Sequence, residues 1–156
     1  MANLRDTAEV EVLIRRLPGA EDLPPPRRAT PESAGFDLRA RIEGSVELGP
    51  GERLLVPTGV ALALPAGHEA QIRPRSGLAL RHGLTLLNAP GTVDSDYRGE
   101  VAVIVVNLGR EPVRIQRGDR IAQLVVSRLA PVVLREADEL PESARGAGGF
   151  GHSGEV

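Results

Sequence analysis

A chain of 156 residues fits one domain with its own core, and a formal net charge of −2 provides no basic surface for a nucleic-acid polymer. The absence of cysteine excludes disulfides, thiolate metal sites and thiol nucleophiles. All 19 basic residues are arginine, which excludes Schiff-base and P-loop lysine chemistry too.

The chain begins MANLRDTAEV, without an apolar h-region, and holds no apolar run long enough to span a bilayer. A soluble cytoplasmic protein without a membrane partner is the expectation. Glu9 to Arg16 alternates and predicts a strand. Pro18 to Pro31 contains five of the 13 prolines and reads as a loop. Ala34 to Ala40 returns to extended structure. Val46 to Pro65 reads as short apolar runs cut by Gly49, Pro50, Gly51, Pro57, Gly59 and Pro65. Glu69 to Arg75 predicts a strand. Ser76 to His82 is the one helical stretch, with Ser76 as its cap and Gly83 as its stop.

Leu84 to Asn88 predicts a further strand and Ala89 to Gly91 a turn. Gly91 to Gly99 is a polar turn with two carboxylates, a tyrosine and an arginine. Glu100 to Asn107 is apolar and β-branched on both alternating faces, the pattern of a strand buried on both sides. Pro112 to Ile115 and Ile121 to Leu129 are strands around a turn at Arg117 to Arg120. Regularity stops at Glu136, and Ser143 to Gly154 is glycine-rich. Turn signals every eight to twelve residues predict an all-β, jelly-roll-like barrel or sandwich with one short helix and a flexible C-terminal arm.

Aromatic residues are scarce: Phe36, Tyr97 and Phe150 are the whole set. The core must therefore be aliphatic. Each aromatic lies beside glycine or aspartate, which suggests ligand contact, although Phe36 equally suits a core plug.

Two stretches have the chemistry of anion binding. Arg75-Ser76-Gly77 ends a strand and opens the helix, where free N–H groups favour anions; an ordinary helix start with a surface arginine looks the same. In the tail, glycines permit an N–H nest, Arg145 supplies charge, and His152 and Ser153 supply donors. Phe150 is placed to stack on a planar ring, worth roughly 1–3 kcal/mol with a nucleobase. Asp94 and Asp96 share a side on extended backbone, and a carboxylate there can take a proton from water. Anion sites beside a carboxylate suggest a polyphosphate and a hydrolytic water. The phosphates need a divalent metal, most simply Mg²⁺, with Asp37 as a further carboxylate. His68, His82 and His152 lack ligand spacing and assign no structural metal. Asp119 reads as a turn residue. Gln123, polar on an apolar strand, needs a phosphate or a backbone partner.

In order, AGFDLRA (34–40), PRSGLAL (74–80), GTVDSDYRGEV (91–101), RGDRIAQLVV (117–126) and RGAGGFGHSG (145–154) resemble the five motifs of the trimeric deoxyuridine triphosphate nucleotidohydrolases, or dUTPases. The resemblance covers Ala34 to Gly154. It implies a homotrimer with three sites at subunit interfaces, residues 1–135 forming the β domain and residues 136–156 a mobile arm that closes a neighbour's site. It implies that Asp94 activates water against the α-phosphorus of dUTP, releasing pyrophosphate and dUMP. Tyr97 would lie against the deoxyribose. Asn88 and the backbone of Thr92, Val93 and Asp94 would read uracil. Arg75, Ser76, Gly77 and Gln123 would hold phosphates, and Asp37 would orient metal-bound waters. Arg145 and Ser153 would grip the γ-phosphate while Phe150 covers the base. The last motif departs from the family's usual GFGSTG: His152 replaces a hydroxyl and Ser153 stands where threonine is common. Two rivals remain, a deoxycytidine triphosphate deaminase and a non-catalytic nucleotide-binding trimer. The DSDY turn favours the pyrophosphatase over the first, and Asp94 with Arg145 over the second.

Overall fold

The computed structural model describes residues 9–149. Its elements in chain order are β1 (Leu13–Arg16), β2 (Phe36–Arg39), β3 (Ser45–Leu48), β4 (Arg53–Ala63), β5 (His68–Arg73), α1 (Ser76–His82), β6 (Leu84–Leu86), β7 (Gly91–Val93), β8 (Glu100–Asn107), β9 (Val113–Gln116) and β10 (Arg120–Arg128). One sheet has the order β1-β4-β8-β6 and a second the order β2-β10-β5-β7, with β3 and β9 forming a separate pair. All pairings are antiparallel. The inner faces meet in one aliphatic core, with Val56, Val103 and Val105 from the first sheet against Leu38, Ile72 and Leu124 from the second. Phe36 packs against this core, and the Arg28 guanidinium lies 4.9 Å above its ring. Phe36 thus fits the reading of a core plug.

The all-β expectation holds, and so do the bounds of α1 and β8. Elsewhere the pairing partners move the ends. β1 begins only at Leu13, because its partner β4 finishes at Ala63, opposite Leu13. β5 ends at Arg73, before Pro74, which has no N–H to donate. β6 stops at Leu86, before the cis Ala89–Pro90 bond. Gly91 to Val93, expected within a turn, is a strand on the edge of the second sheet, so the turn proper is Asp94 to Gly99.

The largest departure is β4. Pro57 and Gly59 were expected to break the chain, yet an 11-residue strand runs through both. The register with β8 shifts between Pro57 and Ala61. That bulge is where a strand tolerates proline and glycine. Gly59 has φ +72°, and a Cβ there would collide with that of Ala20.

β8 is also less covered than its sequence predicts. Val101, Val103 and Val105 face the core, but Ala102 and Ile104 on the other face are half-buried. Leu55, paired with Ile104, is 61% exposed. The strand ends on Asn107, fully buried and fully bonded: its Nδ2 donates to Leu48 O (2.9 Å) and Glu111 O (2.8 Å), and its Oδ1 accepts from Gly109 N (2.9 Å). Among the described residues no helix is long and apolar enough to cross a membrane.

Candidate functional site

One polar cluster sits where β2, β10 and the end of β5 converge. β10 is the middle strand, and Gln123 is level with Asp37 on one side and Arg73 on the other. The Asp37 carboxylate is 17% exposed and lies between two guanidinium groups, Arg75 Nε at 3.3 Å and Arg120 Nη1 at 3.1 Å. Arg75 also donates to the Arg120 carbonyl (3.2 Å). Gln123 Nε2 donates to Pro74 O (3.0 Å), so its partner within the chain is a backbone carbonyl. A side chain at Gly35 would strike the Gln123 amide, which explains glycine there.

Ser76 is the first residue of α1, not its cap; Arg75 occupies the cap position and makes no side-chain capping bond. The first helical bonds are donated by Leu78 and Ala79 to Arg75 O, each 3.0 Å. Gly83 ends the helix at φ 67°, as expected.

The second cluster is the hairpin from Asn88 to Gly99. Gly91 and Val93 are buried against β5, while Thr92 between them and Asp94 beyond are exposed. The Asn88 amide packs on Gly91, 3.2 Å from where a Cβ would stand. Tyr97 N donates to Asp94 O (3.2 Å) and closes the turn. The Tyr97 ring lies over Gly99, where any Cβ would collide with it, and the hydroxyl donates to Glu100 O (3.0 Å). The ring is 46% exposed. A planar apolar face with a fixed tilt is therefore presented beside an exposed carboxylate.

The two clusters do not meet within one chain. Gly91 is level with Ile72 and Val93 with Ala70, so the hairpin runs toward Asp94 away from the Arg75 end of β5. Ala70 and Arg75 are five residues apart, about 16 Å of extended backbone. Arg75 turns away from β7 altogether, across β10 to Asp37.

Among the other expected residues, Arg145 lies in an exposed turn, its Nε donating to Gly148 O (2.6 Å). Phe150, His152 and Ser153 lie outside the described residues. Asp119 is structural, accepting from Gln116 N (2.8 Å). His68 lies beside Ala66 O (3.2 Å), and His82 is exposed in the last turn of α1. Sequence reasoning missed Arg120, whose signal was its place in RGDRIAQLVV, three residues before Gln123. It also missed Glu100, a lone carboxylate heading an apolar strand.

These features define a β-protein of two four-stranded sheets and a separate strand pair, with Asp37 held between Arg75 and Arg120 at one end of the second sheet and a carboxylate-bearing hairpin at the other. A family model, dUTPase, matches residues 21–154. The deoxyuridine 5'-triphosphate nucleotidohydrolase of Wolbachia pipientis wMel is 53% identical over 149 residues, 94% of this chain and 97% of that protein. The enzyme of the same name from Methylocella silvestris is 56% identical over 143 residues, 90% of this chain and 89% of that protein. The G164S mutant of the Staphylococcus bacteriophage 80alpha dUTPase, with dUpNHpp, superposes with a TM-score of 0.82 at 24% identity, covering 93% of this chain and 99% of that one. The chain belongs to the dUTPase family.

Proposed function

We propose that this protein is a dUTP diphosphatase that hydrolyses dUTP to dUMP and pyrophosphate in sites shared between the chains of a homotrimer. The observation that carries the reading is the division of the motif residues into two clusters, in a chain more than half identical to curated dUTPases. The Asp37, Arg75 and Gln123 cluster has the charge and donors for a triphosphate. The Asp94 hairpin has a carboxylate, a ring face and exposed backbone for a nucleoside. Since one chain holds them apart, a complete site takes the first cluster from one subunit and the second from another. The half-buried outer face of β8 and the exposed Leu55 supply an apolar surface for such packing.

In the reaction Asp94 takes a proton from a water as its oxygen bonds the α-phosphorus. The bond from that phosphorus to the bridging oxygen breaks, and pyrophosphate leaves. Arg75 and Gln123, with the N–H groups of Ser76 and Gly77, bind the phosphate chain and hold the α-phosphorus toward the water. Mg²⁺ fits as an ion carried by the substrate. Among the described residues no three His, Asp or Glu side chains converge to hold it. Both Asp37 oxygens face guanidinium groups, yet a carboxylate has room for further donors, including waters around an ion. When bound, the ion neutralises phosphate charge and fixes the conformation of the chain.

Selectivity follows from the hairpin. Gly91 is buried and Asn88 packs on it, so the 5-methyl of thymine must displace rigid main chain, a stronger filter than a soft apolar pocket at about 1–3 kcal/mol per methylene. Cytosine reverses the donor and acceptor pattern and leaves buried groups unpaired. Tyr97 occupies the space of a 2′-hydroxyl. The arm from Glu136 onward closes over a neighbouring subunit's site, with Arg145 and Ser153 on the γ-phosphate, His152 beside them and Phe150 on the base. The activity keeps uracil out of DNA and supplies dUMP for thymidylate synthesis, in the cytoplasm.

Pyrophosphate and ammonia release with Mg²⁺ tests this across dUTP, dTTP, dCTP and UTP. Rapid pyrophosphate from dUTP alone is expected. Ammonia from dCTP would place the protein with the deaminases, and binding of dUTP without turnover would make it a sensor.

A further inference from the structure

We propose that Glu100 is a positioning residue for sugar selectivity, clamping Tyr97, and through it Asp94, to the bulge of β4. The proposal rests on the reading of Tyr97 as the ring that meets the deoxyribose.

The clamp is a chain of directed bonds. The bulge between Pro57 and Ala61 leaves the Gly59 N–H without a ladder partner. Glu100 Oε1 accepts it at 2.7 Å. The same carboxylate receives both arms of Arg41, Nε on Oε1 at 3.1 Å and Nη2 on Oε2 at 3.0 Å. Arg41 is itself tethered, its N–H donating to Pro57 O (2.8 Å). The carboxylate is 24% exposed, so this fork is shielded from solvent on most sides. Three bonds thus fix the residue at which β8 begins.

The main-chain oxygen of that residue accepts the Tyr97 hydroxyl (3.0 Å), and Tyr97 N donates to Asp94 O (3.2 Å). Residues 94–99 are otherwise exposed or half-exposed turn, and Tyr97 is not among the hydrophobic residues packed on the core. The tilt of the Tyr97 ring is therefore set by two things, the absent side chain at Gly99 and the place of the Glu100 carbonyl. A glutamine at position 100 keeps the shape and the Gly59 bond. It turns an NH₂ group toward Arg41, which has no acceptor to offer. The fork is lost and the start of β8 is free to shift.

The test uses the full chain and a spectroscopic property of its composition. Tyr97 is the only tyrosine and there is no tryptophan, so tyrosine emission reports this one ring. Glu100→Gln is expected to lower the steady-state anisotropy of that emission. It is also expected to lower the dUTP-over-UTP ratio of kcat/KM by about tenfold, chiefly through a higher KM for dUTP and a lower one for UTP. Arg41→Gln breaks the same fork from the other side and should reproduce both effects, which covers the case of a poorly folding Glu100 variant. Unchanged anisotropy and selectivity in either folded variant, even with a lower Tm, would overturn the proposal and leave Glu100 a structural residue. Tyr97→Ala separates the two readings. If it retains wild-type preference for dUTP over UTP, the assignment of Tyr97 to the sugar has failed. If it loses that preference while Glu100→Gln keeps it, the clamp alone has failed.

Discussion

At the scale of single residues, Asp94 is the proposed base. It is exposed, it stands at the end of a strand held against β5, and its carbonyl is bonded by the Tyr97 N–H. A base so placed can meet a water without a large rearrangement. Asp94→Asn keeps the shape and removes the proton acceptor. It should lower kcat by about 10²–10⁴-fold while dUTP affinity, measured calorimetrically, stays within a few-fold of wild type. Wild-type turnover would remove Asp94 from the mechanism. That Asp94 and Tyr97 sit exposed in a turn was legible in the sequence, from the polar, glycine-bounded stretch between two apolar runs. The partners of Asp37 were not. An ion pair from β2 to both Arg75 and Arg120 spans 38 and 83 positions of chain, and only the order of strands in the second sheet brings them together. Nor was a further contact of that kind, in which the Arg117 guanidinium grips Asp22 of the proline-rich loop and lowers the pKa of its carboxyl.

At the scale of elements, the sequence was most informative where a local rule had no competitor. α1 needed a run of helix formers and a glycine in the left-handed region, and both ends fall where expected. β8 needed a β-branched run closed by a polar residue. Asn107 shows why that end is sharp: its side chain substitutes for the ladder, bonding two carbonyls and one N–H as the strand finishes. Asn107→Ala should therefore destabilise the fold by about 2–4 kcal/mol, since it orphans buried backbone groups; denaturant unfolding measures this, and a change under 1 kcal/mol would contradict it. β4 was illegible as one strand for a physical reason. Pro57 and Gly59 break an isolated strand, but here the Glu100 carboxylate and the Thr58 hydroxyl, which donates to Val101 O (2.5 Å), satisfy the bulge from across the sheet. The arm belongs to this scale as well. From Glu136 to Gly149 it contributes no strand, and Leu140 is exposed. Truncation before Arg145 should cut activity by more than about tenfold with Tm nearly unchanged. Normal dUTP hydrolysis by the truncated protein would deny the arm a part in closure.

At the scale of the whole molecule, the five motifs predict a site at subunit interfaces, and their order along the chain gives no distances between them. The structure puts Asp94 and Arg75 at opposite ends of β5. Either the site forms between chains or the motifs do not work together. The most direct measurement is subunit complementation. Asp94→Asn and Arg75→Ala chains, each inactive alone, are mixed in equal amounts, unfolded and reassembled together, and assayed for pyrophosphate from dUTP. With the two residues drawn from different chains, random mixing restores both intact groups in about one site in four, and activity should return to roughly a quarter of wild type. If each site lay within one chain, every site would keep one defect, and reassembly that restored no activity would contradict the shared site.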